Sequence, residues 1–292
     1  MRCSDSLHSI FVPARRFVRD YNGSMNPFLE VAIDAARGAG EILSAEMSRP
    51  KNISYKGDVD LVTETDKRSE ALIVARIRNH FPQHAIVAEE GGEGAVAKSR
   101  YTWYVDPLDG TTNFAHGYPC VAVSIGLLDD GEPLAAVVLN PFANELFSAA
   151  RGEGAFLNNK PIRVSSNENL STSLLGTGFP TDKIARSMNI HYYWGLTLRS
   201  HGIRRDGSAA LDLCAVACGR FDGFWEFGLK SWDTAAGTLI VREAGGVVTD
   251  MAGKPFHPGD REILATNGRI HPEMQTVAAD IAERSATSML TM

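Results

Sequence analysis

Tyr101-Thr102-Trp103-Tyr104-Val105-Asp106-Pro107-Leu108-Asp109-Gly110-Thr111-Thr112-Asn113-Phe114 punctuates the chain more sharply than any other segment. The β-forming run at 101–105 reads as a strand that delivers Asp106, and Pro107 biases that residue away from helix. Asp109, Gly110 and the two threonines then supply a turn and a helix N-terminus. Two carboxylates at a strand end thus face the same space as free backbone N–H groups. That arrangement suits a hard cation held by oxygens beside a phosphate held by the helix start. Standing alone, the same residues read equally as an Asp-Pro turn followed by a capped helix.

Partners for these acids lie on both sides. Upstream, Ile86-Val87-Ala88-Glu89-Glu90 is another apolar strand ending in acid. Adjacent glutamates there need a cation or a basic group to offset them. Downstream, Ser231-Trp232-Asp233 places an acid just before the small-residue helix start Thr234-Ala235-Ala236-Gly237, where Asp233 taken alone is an N-cap.

Around this centre the hydrophobic pattern predicts an amphipathic first helix from Asn26, with Pro27 in its first turn and Phe28, Val31, Ala32, Ala35, Ala39, Ile42 and Leu43 on one face. A second helix follows Thr63-Glu64-Thr65-Asp66, presents carboxylates at an exposed end, and stops at Phe81-Pro82. Short apolar runs at 85–88, 101–105, 121–128, 134–139 and 145–149, with turn signals at Asp129-Asp130-Gly131 and Asn158-Asn159, predict a mostly antiparallel sheet with hairpins. After Ser165 helices and strands alternate. Helices are expected at 208–218 and 234–244, the latter closed by Gly245-Gly246 before a strand at Val247-Val248. A strand at 263–266 then turns at Asn267-Gly268 into a final helix to about Arg284. The expected division is a tail at 1–24, an α+β subdomain at 25–165 with most of the acids, and an α/β subdomain at 166–292, the last two sharing a broad interface.

The chain has 292 residues, 44% hydrophobic and 22% charged, which excludes a disordered or fibrous protein. A net charge of −6 argues against coating nucleic acid or an anionic membrane, and no apolar run is long enough to span a bilayer. Cys3, Cys120, Cys214 and Cys218 are too sparse for a disulfide scaffold and point to a reducing, cytoplasmic setting. The first 24 residues carry four arginines against two aspartates, a net of +2 that leaves −8 for the remainder. They read as a disordered tail upstream of Met25, with an organellar targeting peptide as the alternative.

The chain resembles the inositol monophosphatase family, and specifically its bacterial members. The matching motifs are D-L-V-T-E-T-D at 60–66, A-E-E at 88–90, D-P-L-D-G-T-T-N-F at 106–114, G-S-A-A-L-D-L at 207–213 and W-D-T-A-A-G at 232–237. Their order and spacing match from residue 26 to about 285. The resemblance implies an α/β sugar-phosphatase fold of alternating helix and sheet layers, α-β-α-β-α. It also implies a homodimeric phosphomonoesterase using two or three Mg2+ ions to hydrolyse myo-inositol monophosphate. The metal ligands it implies are Glu89, Asp106, Asp109, Asp233 and the Leu108 carbonyl. Glu89 and Thr111, the latter linked to Asp66, would orient a metal-activated water for in-line attack. The N–H groups of Gly110, Thr111 and Thr112 would cradle phosphate. Asp109, Gly207, Ser208, Ala209 and Glu226 would contact the polyol, Glu226 accepting from vicinal hydroxyls.

The resemblance leaves the ester open. Retention of Thr112, Asn113 and Phe114 points away from adenosine bisphosphate and histidinol phosphate as leaving groups. The alternatives are a fructose 1,6-bisphosphatase or histidinol-phosphatase of the same superfamily, or a protein that acts mainly as a partner of the transcription machinery. Glu226 also reads as a surface acid beside Lys230. Lys56 resembles a basic residue near a metal loop, although the loop from Lys56 to Asp60 is one residue shorter than in animal relatives. Cys214 and Cys218 read as buried structural thiols, His191-Tyr192-Tyr193-Trp194 as core or dimer packing, and His116 as remote from the chemistry. No membrane and no direct nucleic-acid contact are expected.

Overall fold

The computed structural model describes residues 26–47, 53–55, 61–91, 99–179 and 187–289, with side chains of 53–55, 61–63 and 285–289 left aside. The expectations for residues 1–24 and for the Lys56–Asp60 loop lie outside the described residues. The chain runs α1 (Pro27–Glu46), β1 (Ile53–Tyr55), β2 (Leu61–Thr63), α2 (Glu64–His80), β3 (Ala85–Ala88), β4 (Tyr101–Asp109), α3 (Thr111–Ala115), β5 (Ala122–Asp129), β6 (Glu132–Asn140), β7 (Glu145–Ala150), β8 (Gly154–Leu157) and β9 (Lys160–Pro161). It continues through β10 (Leu174–Thr177), α4 (Asn189–Thr197), β11 (Gly202–Arg204), α5 (Ala209–Ala217), β12 (Gly223–Phe227), α6 (Ser231–Glu243), β13 (Val247–Thr249), β14 (Glu262–Thr266) and α7 (His271–Met289).

Two larger sheets carry the architecture. The seven-stranded sheet runs in sequence order from β3 to β9, with β3 and β4 parallel and the rest antiparallel. Asp130 and Gly131, both at positive φ, close the β5–β6 hairpin, and Asn158 and Asn159 close β8–β9 in the same way. The five-stranded sheet has the order β11-β10-β12-β14-β13, parallel among β11, β10 and β12 and antiparallel beyond.

Alternating side chains sort the sheets into layers. Val123, Ile125 and Leu127 of β5 and Val137 and Leu139 of β6 point to α1 and α2. Ala136, Val138, Phe147 and Ala149 point the other way, onto α5 and α6. The opposite side of α5 and α6 meets Phe224, Ile263 and Ala265 of the smaller sheet. That sheet's far face, through Leu175, Trp225 and Leu264, packs on Tyr192 and Leu196 of α4 and Met274, Ala278 and Ile281 of α7. The order is therefore α-β-α-β-α, the layering expected for the sugar-phosphatase fold. No helix among the described residues is long and apolar enough to cross a membrane.

Several local expectations change. Strand β4 does not end at Val105 but runs through Pro107 to Asp109, because a bulge accommodates the proline. Helix α6 starts at Ser231, so Asp233 lies inside its first turn and not before it. The start of α2 is not an exposed rack of acids: Glu64 is exposed, but Asp66 is fully buried. The final helix continues past Arg284 to Met289.

Candidate active site

The bulge in β4 sets the geometry. Asp106 lies opposite Ser124 and Asp109 opposite Ala122, so three steps along β4 match two along β5. In a regular strand residues three apart point to opposite faces; one extra residue cancels an alternation and brings both acids to the side of α5 and α6. Pro107 has no N–H to contribute to the ladder, so the bulge is where its presence costs least. The Leu108 N–H is turned inward and donates to Asp106 Oδ1 at 2.9 Å. From the other face, Ser69 of α2 donates to the Pro107 carbonyl at 3.0 Å.

Gly110 carries the chain from β4 into α3 at φ 92°, and a Cβ there would lie 2.9 Å from the Cys120 carbonyl oxygen. Only glycine meets both conditions. Beyond it, Thr111 Oγ1 is 3.2 Å from the Leu108 carbonyl oxygen and 3.4 Å from Asp66 Oδ1. The buried Asp66 thus reaches from α2 to the start of α3. Asn113 Nδ2 donates to the carbonyls of Cys120 at 2.7 Å and Asp206 at 2.8 Å, stitching this turn to the segment before α5.

Asp109 does not face the start of α3 with both oxygens. Its Oδ2 accepts from Ser208 Oγ at 2.6 Å and from the Ala210 N–H at 2.8 Å, which places it on the N-terminus of α5. Asp233 Oδ2 accepts from the Lys230 N–H at 2.7 Å. Glu89 follows β3, its N–H bonded to the Val105 carbonyl at 3.2 Å. Asp109 thus lies on the N-terminus of α5, and Glu89 after β3, Asp106 on β4 and Asp233 on α6 are near enough to influence one another's charge.

Their electrostatics show how close they are. Asp106 is 2% exposed, and burial first, then Glu89, Asp109 and Asp233, push its carboxyl well above the ordinary aspartate value. Burial raises Asp109 too, against the pull of the Ser208 and Ala210 donors. Asp233 is pushed up to about 8 by burial, then by Asp109 and Glu89. Carboxylates that repel one another, Asp106 buried and Glu89, Asp109 and Asp233 half-buried, and that offer only oxygen donors fit a hard divalent cation. Among the described residues no group of three or more His, Cys, Asp or Glu side chains is gathered as a metal site in this arrangement, and Asp109 and Asp233 each turn one oxygen to a protein donor.

The other end of the site holds the expected polyol contacts Gly207, Ser208 and Glu226, together with Asp212, to which the motifs gave no role. Glu226 on β12 is 6% exposed, which removes its reading as a surface acid. Burial, then Asp233 and Asp109, raise its carboxyl, and Arg205 pulls the other way. Asp212 on α5 is 2% exposed, its Oδ2 has no hydrogen-bond partner, and burial followed by the charge of Glu226 raises it. The signal for it was present: Asp212 is the one charged residue in an otherwise Ala- and Leu-rich helix. Gly207 and Ser208 precede that helix, Ser208 as its N-cap, accepting from the Leu211 N–H at 3.4 Å. His116 is exposed at the C-terminal end of α3, and Cys214 is fully buried with its thiol pushed up by burial. In the aromatic run Tyr192 is core, whereas Trp194 is 70% exposed.

The comparisons agree with this architecture. The sequence model of the inositol monophosphatase family matches residues 24–286. The chain is 46% identical over 258 residues to the inositol-1-monophosphatase of a Synechocystis species, spanning 87% of this chain and 90% of that protein. It is 48% identical over 261 residues to the Nus factor SuhB of Pseudomonas aeruginosa, spanning 86% of this chain and 96% of that protein. The solved structure of inositol monophosphatase from an Anabaena (Nostoc) species is similar at a TM-score of 0.79 and 45% identity, over 87% of this chain and 95% of that one. Motif order, layered fold and extent of match together establish that the chain belongs to the inositol monophosphatase family and is a phosphatase.

Proposed function

We propose that the chain hydrolyses myo-inositol monophosphate to inositol and phosphate, with Mg2+ as cofactor and water as nucleophile. The observation that carries this reading is the convergence of Glu89, Asp106, Asp109 and Asp233, acids that raise one another's proton affinity. Together with the Leu108 carbonyl they are the groups that would hold the metal, two or three ions in all. Bound there, Mg2+ would offset the acids' charge, polarise the phosphoryl oxygens and favour deprotonation of a nearby water.

The chain's own groups supply the rest. Thr111, held by Asp66 on one side and the Leu108 carbonyl on the other, has a hydroxyl positioned with Glu89 to orient water for in-line attack on phosphorus. The N–H groups of Gly110, Thr111 and Thr112 are the donors for phosphate oxygens. The inositol oxygen leaves as the P–O ester bond breaks, and its ring lies toward Ser208, Ala209 and Glu226. The buried Glu226 carboxylate, with no hydrogen bond among the described residues, is well suited to accept from a polyol's hydroxyls.

Phosphate release from inositol 1-phosphate, fructose 1,6-bisphosphate, histidinol phosphate and adenosine bisphosphate, each with Mg2+ and with chelator, tests the proposal. The expected result is fastest release from inositol 1-phosphate and none under chelation. Release insensitive to chelation would remove the metal assignment, and preference for another ester would remove the polyol assignment.

We also propose a cytoplasmic homodimer. The relative named Nus factor SuhB supports a second reading, association with the transcription machinery. Ile190, Trp194 and Leu198 offer either partner an exposed apolar row at four-residue spacing along α4. Sedimentation of the purified protein at the mass of two chains is expected; a monomer would leave that row to the second reading.

A further inference from the structure

Glu226 is buried and repelled by its acidic neighbours, and its carboxylate accepts no hydrogen bond among the described residues, so something other than a donor must fix it. Strands β10 and β12 are parallel with Thr177 opposite Trp225, so the next position across from Glu226 is Gly178, and the two share a face. A Cβ built on Gly178 would lie 2.2 Å from each Glu226 carboxylate oxygen and 2.3 Å from its carboxyl carbon. No other group stands that close to it, and its φ lies outside the left-handed region, so the backbone itself would admit an L-residue.

The wall of this slot is fixed. Asn189, fully buried at the start of α4, donates through Nδ2 to the Gly178 carbonyl and to Thr177 Oγ1 at 3.1 Å. Its Oδ1 accepts from Trp225 Nε1 at 2.6 Å, and Thr177 Oγ1 donates to the Trp225 carbonyl at 2.7 Å. Thr177, Gly178, Asn189 and Trp225 are thus tied into one buried hydrogen-bond network that resists displacement of the Gly178 backbone.

We propose that Gly178 is a positioning residue for substrate selection: its missing side chain opens the slot in which the Glu226 carboxylate lies, and Asn189 locks the slot's wall. This rests on the reading of Glu226 as the polyol acceptor. A methyl group at 178 would displace the carboxylate by more than its hydrogen bonds to a hydroxyl can follow.

The test uses the full-length protein with Mg2+ as wild type, Gly178→Ala, Glu226→Ala and the double variant. It reads kcat and KM on inositol 1-phosphate and p-nitrophenyl phosphate, with thermal midpoints. Gly178→Ala is expected to lower the ratio of kcat/KM on the inositol ester to that on the nitrophenyl ester by about 10-fold. Added to Glu226→Ala it should cost under about 2-fold, since the atoms it strikes are gone. The midpoint should fall in Gly178→Ala and recover in the double variant. If Gly178→Ala is too unstable to assay, a folded double variant that hydrolyses the nitrophenyl ester supports the slot, and an unfolded one overturns it. Additive losses, or equal losses on both esters, overturn the proposal while leaving Glu226 as acceptor. No selective loss in Glu226→Ala removes the polyol reading and the proposal with it.

Discussion

Asp106, Leu108, Asp109 and Gly110 come from one short segment, and the structure supplies hydrogen-bond donors for part of their charge: the Leu108 N–H for Asp106, and Ser208 and Ala210 for Asp109. At the opposite end, Gly178, Asp212 and Glu226 come from the end of β10, α5 and β12, and among the described residues Asp212 Oδ2 and the Glu226 carboxylate accept no hydrogen bond. The first end is a local device, a bulge followed by a glycine turn, whose geometry follows from the order of residues. The second exists only once a parallel sheet has formed. Under the proposed function a cation would relieve the acids of the first end, and hydroxyl donors on a ligand those of the second.

Removing a charge from the first end should have the largest effect. Asp106→Asn keeps shape but takes away a carboxylate that would hold the metal, and a loss of more than about 100-fold in kcat with Mg2+ is expected. The same change removes a buried charge that its neighbours repel, so the thermal midpoint of the metal-free variant should rise. Unchanged turnover in a folded Asp106→Asn protein would break the assignment of this end to metal.

The second end should respond less and more selectively. Glu226→Gln keeps size and one acceptor but loses the charge, weakening hydrogen bonds to a polyol by about 1 to 3 kcal/mol. That corresponds to about a 5- to 150-fold loss in kcat/KM for inositol 1-phosphate. The nitrophenyl ester, which has no polyol, should be hydrolysed with a much smaller change. Equal losses on both esters would mean that the two ends are one electrostatic unit.

This contrast also explains what could be read beforehand. The short apolar runs of β5 and β6 and the turn at Asp130-Gly131 predict the hairpin sheet, because both signals are local. The expectation that Glu89, Asp106, Asp109 and Asp233 act together rested on apolar runs ending in acid and on a helix start, local signals that hold even though β4 continues past Asp106 and Asp233 lies inside the first turn of α6. The burial of Asp66 was not, since the covering of α2's first turn by α3 depends on tertiary packing. Gly178 and Glu226 stand 48 positions apart, and nothing short of the β10–β12 register announces their contact. Helix α4 escaped notice because its aromatic run mixes the core residue Tyr192 with the exposed Trp194.

The smallest effect expected is on stability, and its sign separates the two ends. An acid whose proton affinity is raised by folding contributes stability below its unfolded pKa, and that contribution is lost as pH rises through the folded value. For Asp233 the window runs from the ordinary aspartate value of 3.8 to about 8, and Asp106 and Asp109 shift in the same direction. In chelator, then, the thermal midpoint should rise as pH is lowered from 8 to 6.5, by on the order of a few degrees. His84 and His271, both lowered by burial, work the opposite way only near and below the ordinary histidine value of 6.5, outside that range. Mg2+ should stabilise most at pH 8, where it offsets fully ionised ligands, and least at pH 6.5, where it must displace protons. Glu226 and Asp212 are raised by the same kind of burial but would not be ligands, so saturating Mg2+ should leave a residual slope that Glu226→Gln reduces. Scanning fluorimetry across this range, with chelator and with Mg2+, measures both slopes. A Mg2+ shift that is the same at pH 6.5 and pH 8 would show that the cation does not compete with protons on these acids, and a flat profile under Mg2+ would place Glu226 and Asp212 within its reach.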